Sequence, residues 1–307
     1  MAILSIGIGG RMGLELKLTG FNRDSAAALY LSEAGVKRAA AVILSKKNHT
    51  MDTLNEQWSC NNEEANPLFK DIKIGEAGTF TVSYHSSDKR VFYGVQDEEA
   101  RININNAPGD VIKRLIEYFD LTEDAGEIAA SIEDWRDEDD IRKAGSQEYV
   151  EYDYTEEGYK KKDLPFDSID EVLLVKGVNR ELFDKIKGYI TVYPITGTGC
   201  RINVNTAPLP VLMALGFSQT EAETIIAARI GPDTPDNTHF VDKNDFIDFL
   251  SGANITSLTE ANKALVSCGS NYYRVISKGY ASGGRAVKTV TCVISVTGGS
   301  VLYWNEE

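Results

Sequence analysis

Between Arg11 and Lys46 apolar residues recur mostly at steps of three, four and seven, at Leu14, Leu18, Phe21, Leu29, Val36, Ala40 and Ile43. That spacing predicts one long amphipathic helix, interrupted in composition only by Gly20 and Gly35. Roughly thirty helical residues reach about 45 Å, more than a compact domain readily covers, so the element reads as a stalk. After Asn48 come turn residues and Pro67, then GTFTVSYHSSDKRVFYGVQDE, two β-rich runs around Ser86, Ser87 and Asp88 that predict a hairpin. From Ala100 to about Val266 the pattern changes to short helices with polar links. The chain then returns to strands, NYYRVISKGYA and AVKTVTCVISV, joined through Ser282-Gly283-Gly284-Arg285.

The helical stretch contains a repeat. Arg101–Pro108 reads RININNAP and Arg201–Pro208 reads RINVNTAP, identical at six of eight positions. Each copy precedes an apolar helix, VIKRLIEYF or VLMALGF, and then a second, EDAGEIAASIEDW or QTEAETIIAARI. The Asn side chains are expected to cap the incoming helix, with Pro tolerated in its first turn. A third fragment, FDSIDEVLLVKGVNRELFDKIKGYI, predicts a helix, a turn at Gly177 and another helix. Strands split around an insertion can still join one sheet beside the long helix, so the expected fold class is α+β. The expected segments are 1–46, the helix; 47–98, the first part of an α+β domain; 99–196 and 197–267, two helical modules; and 268–307, the completing strands.

Composition narrows the function. The chain has 307 residues, 42% hydrophobic, enough for one large core or two ordinary ones. Its 46 acids against 32 bases give a net charge of −14, which repels phosphate backbones and anionic lipid. The excess is local, because residues 117–171 hold 20 acids and 6 bases and the remainder balances. Cys60, Cys200, Cys268 and Cys292 form no C-x-x-C, which argues against zinc and leaves disulfides and buried thiols both open. The opening MAILSIGIGG is apolar but far short of the roughly 20 residues that span a bilayer, and no basic region precedes it. Gly7, Gly9 and Gly10 resemble a dinucleotide fingerprint, but Met12 replaces its last glycine and no strand comes first.

Two function classes lose ground on the residues. His49, His85 and His239 stand in separate contexts with no adjacent nucleophile signature, so no catalytic residue is assigned and the chain is not expected to be an enzyme. A helix-hairpin-helix DNA-binding protein is the alternative reading, since such modules share INVNTAP and a helix like Ala222-Glu223-Thr224-Ile225-Ile226-Ala227-Ala228-Arg229. Its phosphate-binding turn needs small residues, whereas this chain has Gly216-Phe217-Ser218-Gln219 and Leu121-Thr122-Glu123-Asp124, and carboxylates there repel the ligand.

Taken together, GFNRDSAAALYLSEAGVKRAA, VQDEEARININNAP, SIEDWRDEDD, FDSIDEVLLVKGV and RINVNTAPLPVLMAL, in that order, resemble the K-type minor pseudopilins of bacterial type II secretion. The resemblance implies a pilin-like fold, a long N-terminal helix on an antiparallel sheet, with two sterile-alpha-motif-like (SAM-like) helical modules inserted. It implies an inner-membrane protein with its body in the periplasm, at the pseudopilus tip with the I and J minor pseudopilins as partners, and no nucleic acid. Family members begin with a basic leader and a full membrane helix. MAILSIGIGG is expected to correspond to the back half of that helix in a truncated chain.

Two sites follow. Leu14, Leu18, Phe21, Leu29 and Val36 share one helix face that a small sheet cannot cover entirely, so they are the expected partner-binding residues. Residues 133–140 place six carboxylates in eight positions with one base, Arg136, and such crowding calls for a cation. Calcium suits an irregular all-oxygen site, although the spacing is not an EF-hand. The resemblance also implies calcium, beside a D-W-x-D-x-D motif matched by Asp134, Asp137, Asp139 and Asp140, and loosely by Gly145-Ser146-Gln147-Glu148. The expected ligands are Asp137, Asp139 and Asp140, with Asp134 and Glu148 ahead of Glu133 and Glu138; Trp135 is expected in the core.

Overall fold

The computed structural model describes residues 2–46, 49–59, 67–85, 90–119, 124–138, 162–197, 199–229 and 239–307, with side chains from Gly13 onward. In chain order, helix α1 (Ala2–Ser45) is followed by strands β1 (Ile72–Ile74), β2 (Gly78–Val82), β3 (Tyr84–His85), β4 (Val91–Phe92), β5 (Gln96–Asp97) and β6 (Ile102–Asn103). Then come α2 (Gly109–Tyr118), α3 (Ala125–Arg136), a 3-10 turn (Ile169–Leu174), α4 (Arg180–Ile186), β7 (Ile190–Thr191) and β8 (Ile202–Asn203). Helices α5 (Leu209–Ala214), α6 (Gln219–Arg229), α7 (Lys243–Gly252) and α8 (Glu260–Lys263) precede β9 (Val266–Ser267), β10 (Tyr272–Ala281), β11 (Ala286–Ser295) and β12 (Val301–Glu306). The chain forms two compact units, one of Met1–Lys47, Leu54–Gln96 and Tyr273–Glu307, the other of Asn48–Thr53 and Asp97–Tyr272.

In the first unit α1 lies on a sheet of order β1-β2-β10-β11-β12, with β5 also pairing β10. Strand β10 obeys the two-residue period: Tyr273, Val275, Ser277, Gly279 and Ala281 are buried and the residues between them are partly exposed. The buried set shrinks along the strand, and the helix residues opposite shrink with it. Ile43, Ala39 and Val36 pack with Trp58, Phe69, Phe80 and Tyr273, while Ala28 and Leu31 pack with Ala281. Close approach at the small end is enforced by two glycines. A Cβ on Gly279 would collide with the backbone of Ala28 and Ser32, and one on Gly35 would collide with the Ser277 hydroxyl. The expected hairpin is present, with Tyr84 opposite Phe92 and His85 opposite Val91, although Ser86, Ser87 and Asp88 lie outside the described residues.

The second unit is built from helices, and its repeats share one polar device. In the first copy the Asn103 side chain accepts the Asn105 N–H, and the Asn105 side chain donates to the carbonyls of Phe166 and Val192 while accepting the Phe166 N–H. The second copy does the same: Asn203 accepts the Asn205 N–H, and Asn205 donates to Phe240 and Cys268 and accepts from Phe240. Each copy also forms a two-residue parallel bridge, β6 with β7 and β8 with β9. The arginine ending the second helix of each copy closes back on the motif, Arg136 onto the Ile104 and Ala107 carbonyls and Arg229 onto that of Val204. The Asn residues therefore do not cap the incoming helices as expected. Pro108 and Pro208 occupy the N-cap positions, and the Gly109 N–H is taken by the Glu133 carboxylate at 2.9 Å.

Other differences have local causes. Asn48–Thr53 joins the second unit because Asp52 is hydrogen-bonded there: its N–H to Cys268, its carboxylate to the Ser270 N–H, and its carbonyl to the Asn203 side chain. Cys200, Cys268 and Cys292 are buried free thiols, and Cys60 lies outside the described residues. Gly279→Ala is expected to lower the free energy of unfolding by about 1–3 kcal/mol through overpacking against backbone. Gly20→Ala, where an added Cβ meets nothing, is expected to raise it by about 0.5–1 kcal/mol. Urea titrations of the two variants beside the parent chain measure both.

Candidate functional site

The apolar face of α1 divides at the end of its own sheet. Asp24 hydrogen-bonds Ser282 in the turn that ends β10, an interaction that holds its carboxyl below the usual range with Arg23 beside it. The helix continues N-terminally from there for about 33 Å. Beyond that point Leu14, Leu18 and Phe21 are 59%, 52% and 68% exposed, and Leu16 is exposed as well. On the sheet side Val36 is only 5% exposed and belongs to the core, and Leu29 packs against that core. The expectation that all five form a partner surface is corrected for these two, since the sheet already covers Val36 and takes part of Leu29. Among the described residues, no helix is long and apolar enough to cross a membrane.

The acidic segment is described only at its start. Asp134 is buried in the last turn of α3, and Asp137 follows as the C-cap in an extended conformation. Asp139, Asp140 and Glu148 lie outside the described residues. Among the described residues no group of three His, Cys, Asp or Glu side chains is placed to hold a metal ion. The local chemistry still sorts the acids. Glu133 serves the Gly109 N–H and pairs with Arg136 at 3.5 Å, while Arg136 spends its guanidinium on carbonyls of the repeat motif. Glu133 is thus engaged in the fold. Trp135 is buried and stacks on Phe166 with centroids 6.2 Å apart, as expected of a core residue.

A buried polar cluster in the second unit was not anticipated. Asp97 accepts hydrogen bonds from the Thr206 and Ser270 hydroxyls, each at 2.6 Å, from the Asn203 amide at 3.1 Å and from the Glu99 N–H at 2.8 Å. Burial nevertheless pushes its carboxyl up to about 6. Burial pushes Glu99 further, to about 8, against the opposing field of Arg201. The second Asn of each repeat was visible in the sequence; the carboxylates that gather on the second copy were not, because they come from distant segments. His49 meets Asp52 at 3.1 Å at the edge of this cluster, and neither His85 nor His239 shares that contact.

Comparison with known proteins places these features in context. The family described as Type II secretion system (T2SS), protein K matches over residues 93–195 and again over 202–267. No curated protein matches the chain. Among solved structures, a chain from the crystal structure of the GspK-GspI-GspJ complex of the enterotoxigenic Escherichia coli type 2 secretion system superposes with a TM-score of 0.72 at 20% identity, covering 94% of this chain and 99% of that one. At that identity the likeness establishes the fold.

The raised carboxyls have a pH consequence. Glu99 in the folded chain keeps its proton where the unfolded chain, near 4.5, has lost it, so its contribution to stability falls as pH rises from about 4.5 through 8. Glu99→Gln is expected to melt higher than the parent at pH 8 and to converge with it near pH 4.5, as read by thermal denaturation across that range.

Proposed function

The chain belongs to the protein K family of the type II secretion system and is a minor pseudopilin, and from this we propose that it caps the tip of the pseudopilus. The observation that carries the reading is the exposed apolar face at Leu14, Leu18 and Phe21, on a helix that extends past its own sheet. Such a face is suited to packing against neighbouring helices. The insertion of Asp97–Tyr272 into a pilin-like unit supports a terminal position, since a repeating subunit would have to accommodate that bulk at every step. Partners of the I and J minor pseudopilin type fit this reading, the structurally similar chain being one component of a GspK-GspI-GspJ complex. The body then faces the periplasm from the inner membrane, and the role is structural rather than catalytic.

Leu18→Glu with Phe21→Glu is expected to abolish co-purification with the I- and J-type partners while leaving the melting temperature of the isolated chain unchanged, because both side chains stand in solvent. Retained binding refutes the helix face as the contact. One copy per assembled pseudopilus is the expected stoichiometry, and many copies refute capping.

The reading includes calcium at the acidic segment. Buried Asp134 and the cap residue Asp137 offer hard oxygen donors three residues apart on the chain, and Asp139, Asp140 and Glu148 complete the proposed set. Bound calcium would supply the positive charge that lets these carboxylates converge. Removing it is expected to lower the melting temperature by mass action on the folded state. A chelator-treated sample that melts with one held in millimolar calcium ends this part of the reading.

A further inference from the structure

A cleft of about 180 Å³ opens within the second unit, lined among others by Glu98, Glu99, Arg101, Arg201, Asn271 and Tyr272. Its two arginines are the first residues of the two repeat motifs, so duplication has brought one cation from each copy to one hollow. The four ionisable side chains are not used alike. Arg101 pairs with Glu98 at 3.4 Å, and Glu98 also accepts the Thr191 hydroxyl, so this pair neutralises itself. Glu99 and Arg201 form no ion pair with each other or with any other described residue, although each lies in the other's field. Glu99 is buried, and among the described residues its carboxylate takes only amide donors from Asn271, the backbone N–H at 3.2 Å and the side chain. Arg201 is exposed and anchored along one edge, to the Ser267 hydroxyl at 2.7 Å and the Gly269 carbonyl at 3.5 Å. Tyr272 lines the same cleft, and burial, with the field of Glu99 added and that of Arg201 opposing, pushes its hydroxyl up.

We propose that this cleft binds a small zwitterion, its ammonium group against Glu99 and its carboxylate against Arg201. A lone cation would enter beside two guanidinium groups, and a lone anion beside the buried Glu98 carboxylate with nothing to draw the proton from Glu99. A molecule carrying both charges a short span apart meets each with its complement, and the water it displaces leaves no group unpaired. A cleft of this volume, well under that of drug-sized pockets, suits a ligand the size of a free amino acid. The site stands apart from the helix face and the acidic segment, so it does not depend on the reading as a tip subunit.

The test titrates the full chain, by calorimetry and ligand-observed NMR, with glycine, L-alanine, β-alanine and γ-aminobutyrate. Their N-acetyl and methyl-ester derivatives, each lacking one charge, serve as controls. At least one free zwitterion is expected to bind saturably, with both of its derivatives weaker by about tenfold or more. Glu99→Gln, which keeps the side-chain size, and Arg201→Gln are each expected to weaken binding by a similar factor, with folding checked by circular dichroism and Arg201→Lys as the milder replacement. Binding is also expected to release a proton, because the ammonium favours ionised Glu99 in a site where the other groups facing it are Arg201, Asp97, Tyr272 and Cys200. That release appears as a heat that varies with the ionisation enthalpy of the buffer. No saturable binding by any member of the series, derivatives that bind as well as the free zwitterion, variants that bind like the parent, or a buffer-independent heat would each overturn the proposal.

Discussion

The close approach of α1 to β10 sets the geometry of the first unit. At Gly279 the helix backbone sits where any side chain would stand, and at Gly35 the Ser277 hydroxyl occupies the corresponding space. With the helix pinned close at this end, the core can be thin there, built from Ala28, Leu31 and Ala281. It thickens toward Ile43, where Trp58, Phe69 and Tyr273 fill the gap, and Trp58 meets Tyr273 edge to face at 5.1 Å. The same contact decides where the helix leaves its sheet. The β10 turn meets Asp24, and before that point Leu14, Leu16, Leu18 and Phe21 stand exposed.

A different interaction organises the second unit. Asn203 donates to the Asp52 carbonyl, the Asp97 carboxylate and the Ser270 hydroxyl, which come from three segments far apart on the chain. Its counterpart Asn103 donates to the Pro194 carbonyl instead. The duplicated motif thus keeps its local work in both copies, the Asn-to-Asn turn and the clasp on a later segment, while the second copy also ties in Asp52, Asp97 and Ser270. Such buried networks are stable only when every member is satisfied, and Asp97 reaches that state with four donors although burial opposes its charge.

What could be read from the sequence follows from the range of the interaction concerned. The helix period of α1 and the two-residue period of β10 are local, and both elements were legible. Strand β12 was not, because Val301, Leu302, Tyr303 and Trp304 are all exposed and show no alternation. The repeat was legible as a repeat, but its chemistry was not: Asn105 finds its partners 61 and 87 residues away, and nothing within the octapeptide distinguishes that role from helix capping. The α1 stripe shows a third kind of limit. Leu18 and Val36 carry the same periodicity, and only the length of the sheet makes one a surface residue and the other core.

Magnitudes bear on how the exposed half of that stripe is used. Fully burying a Leu or Phe side chain is worth about 1.5–3 kcal/mol, so Leu14, Leu18 and Phe21 together offer about 5–9 kcal/mol. Loss of translational and rotational freedom on association costs about 4–15 kcal/mol, which absorbs most or all of that gain. The helix face by itself therefore gives weak attachment between two freely diffusing chains. It becomes adequate when neighbours are held together by something else, a shared membrane or a second contact between their bodies, because the face then closes at a high effective concentration. A face of this size is suited to setting register and orientation among subunits that are already gathered, and Leu14, Leu18 and Phe21 fit that role without making the isolated chain bind indiscriminately.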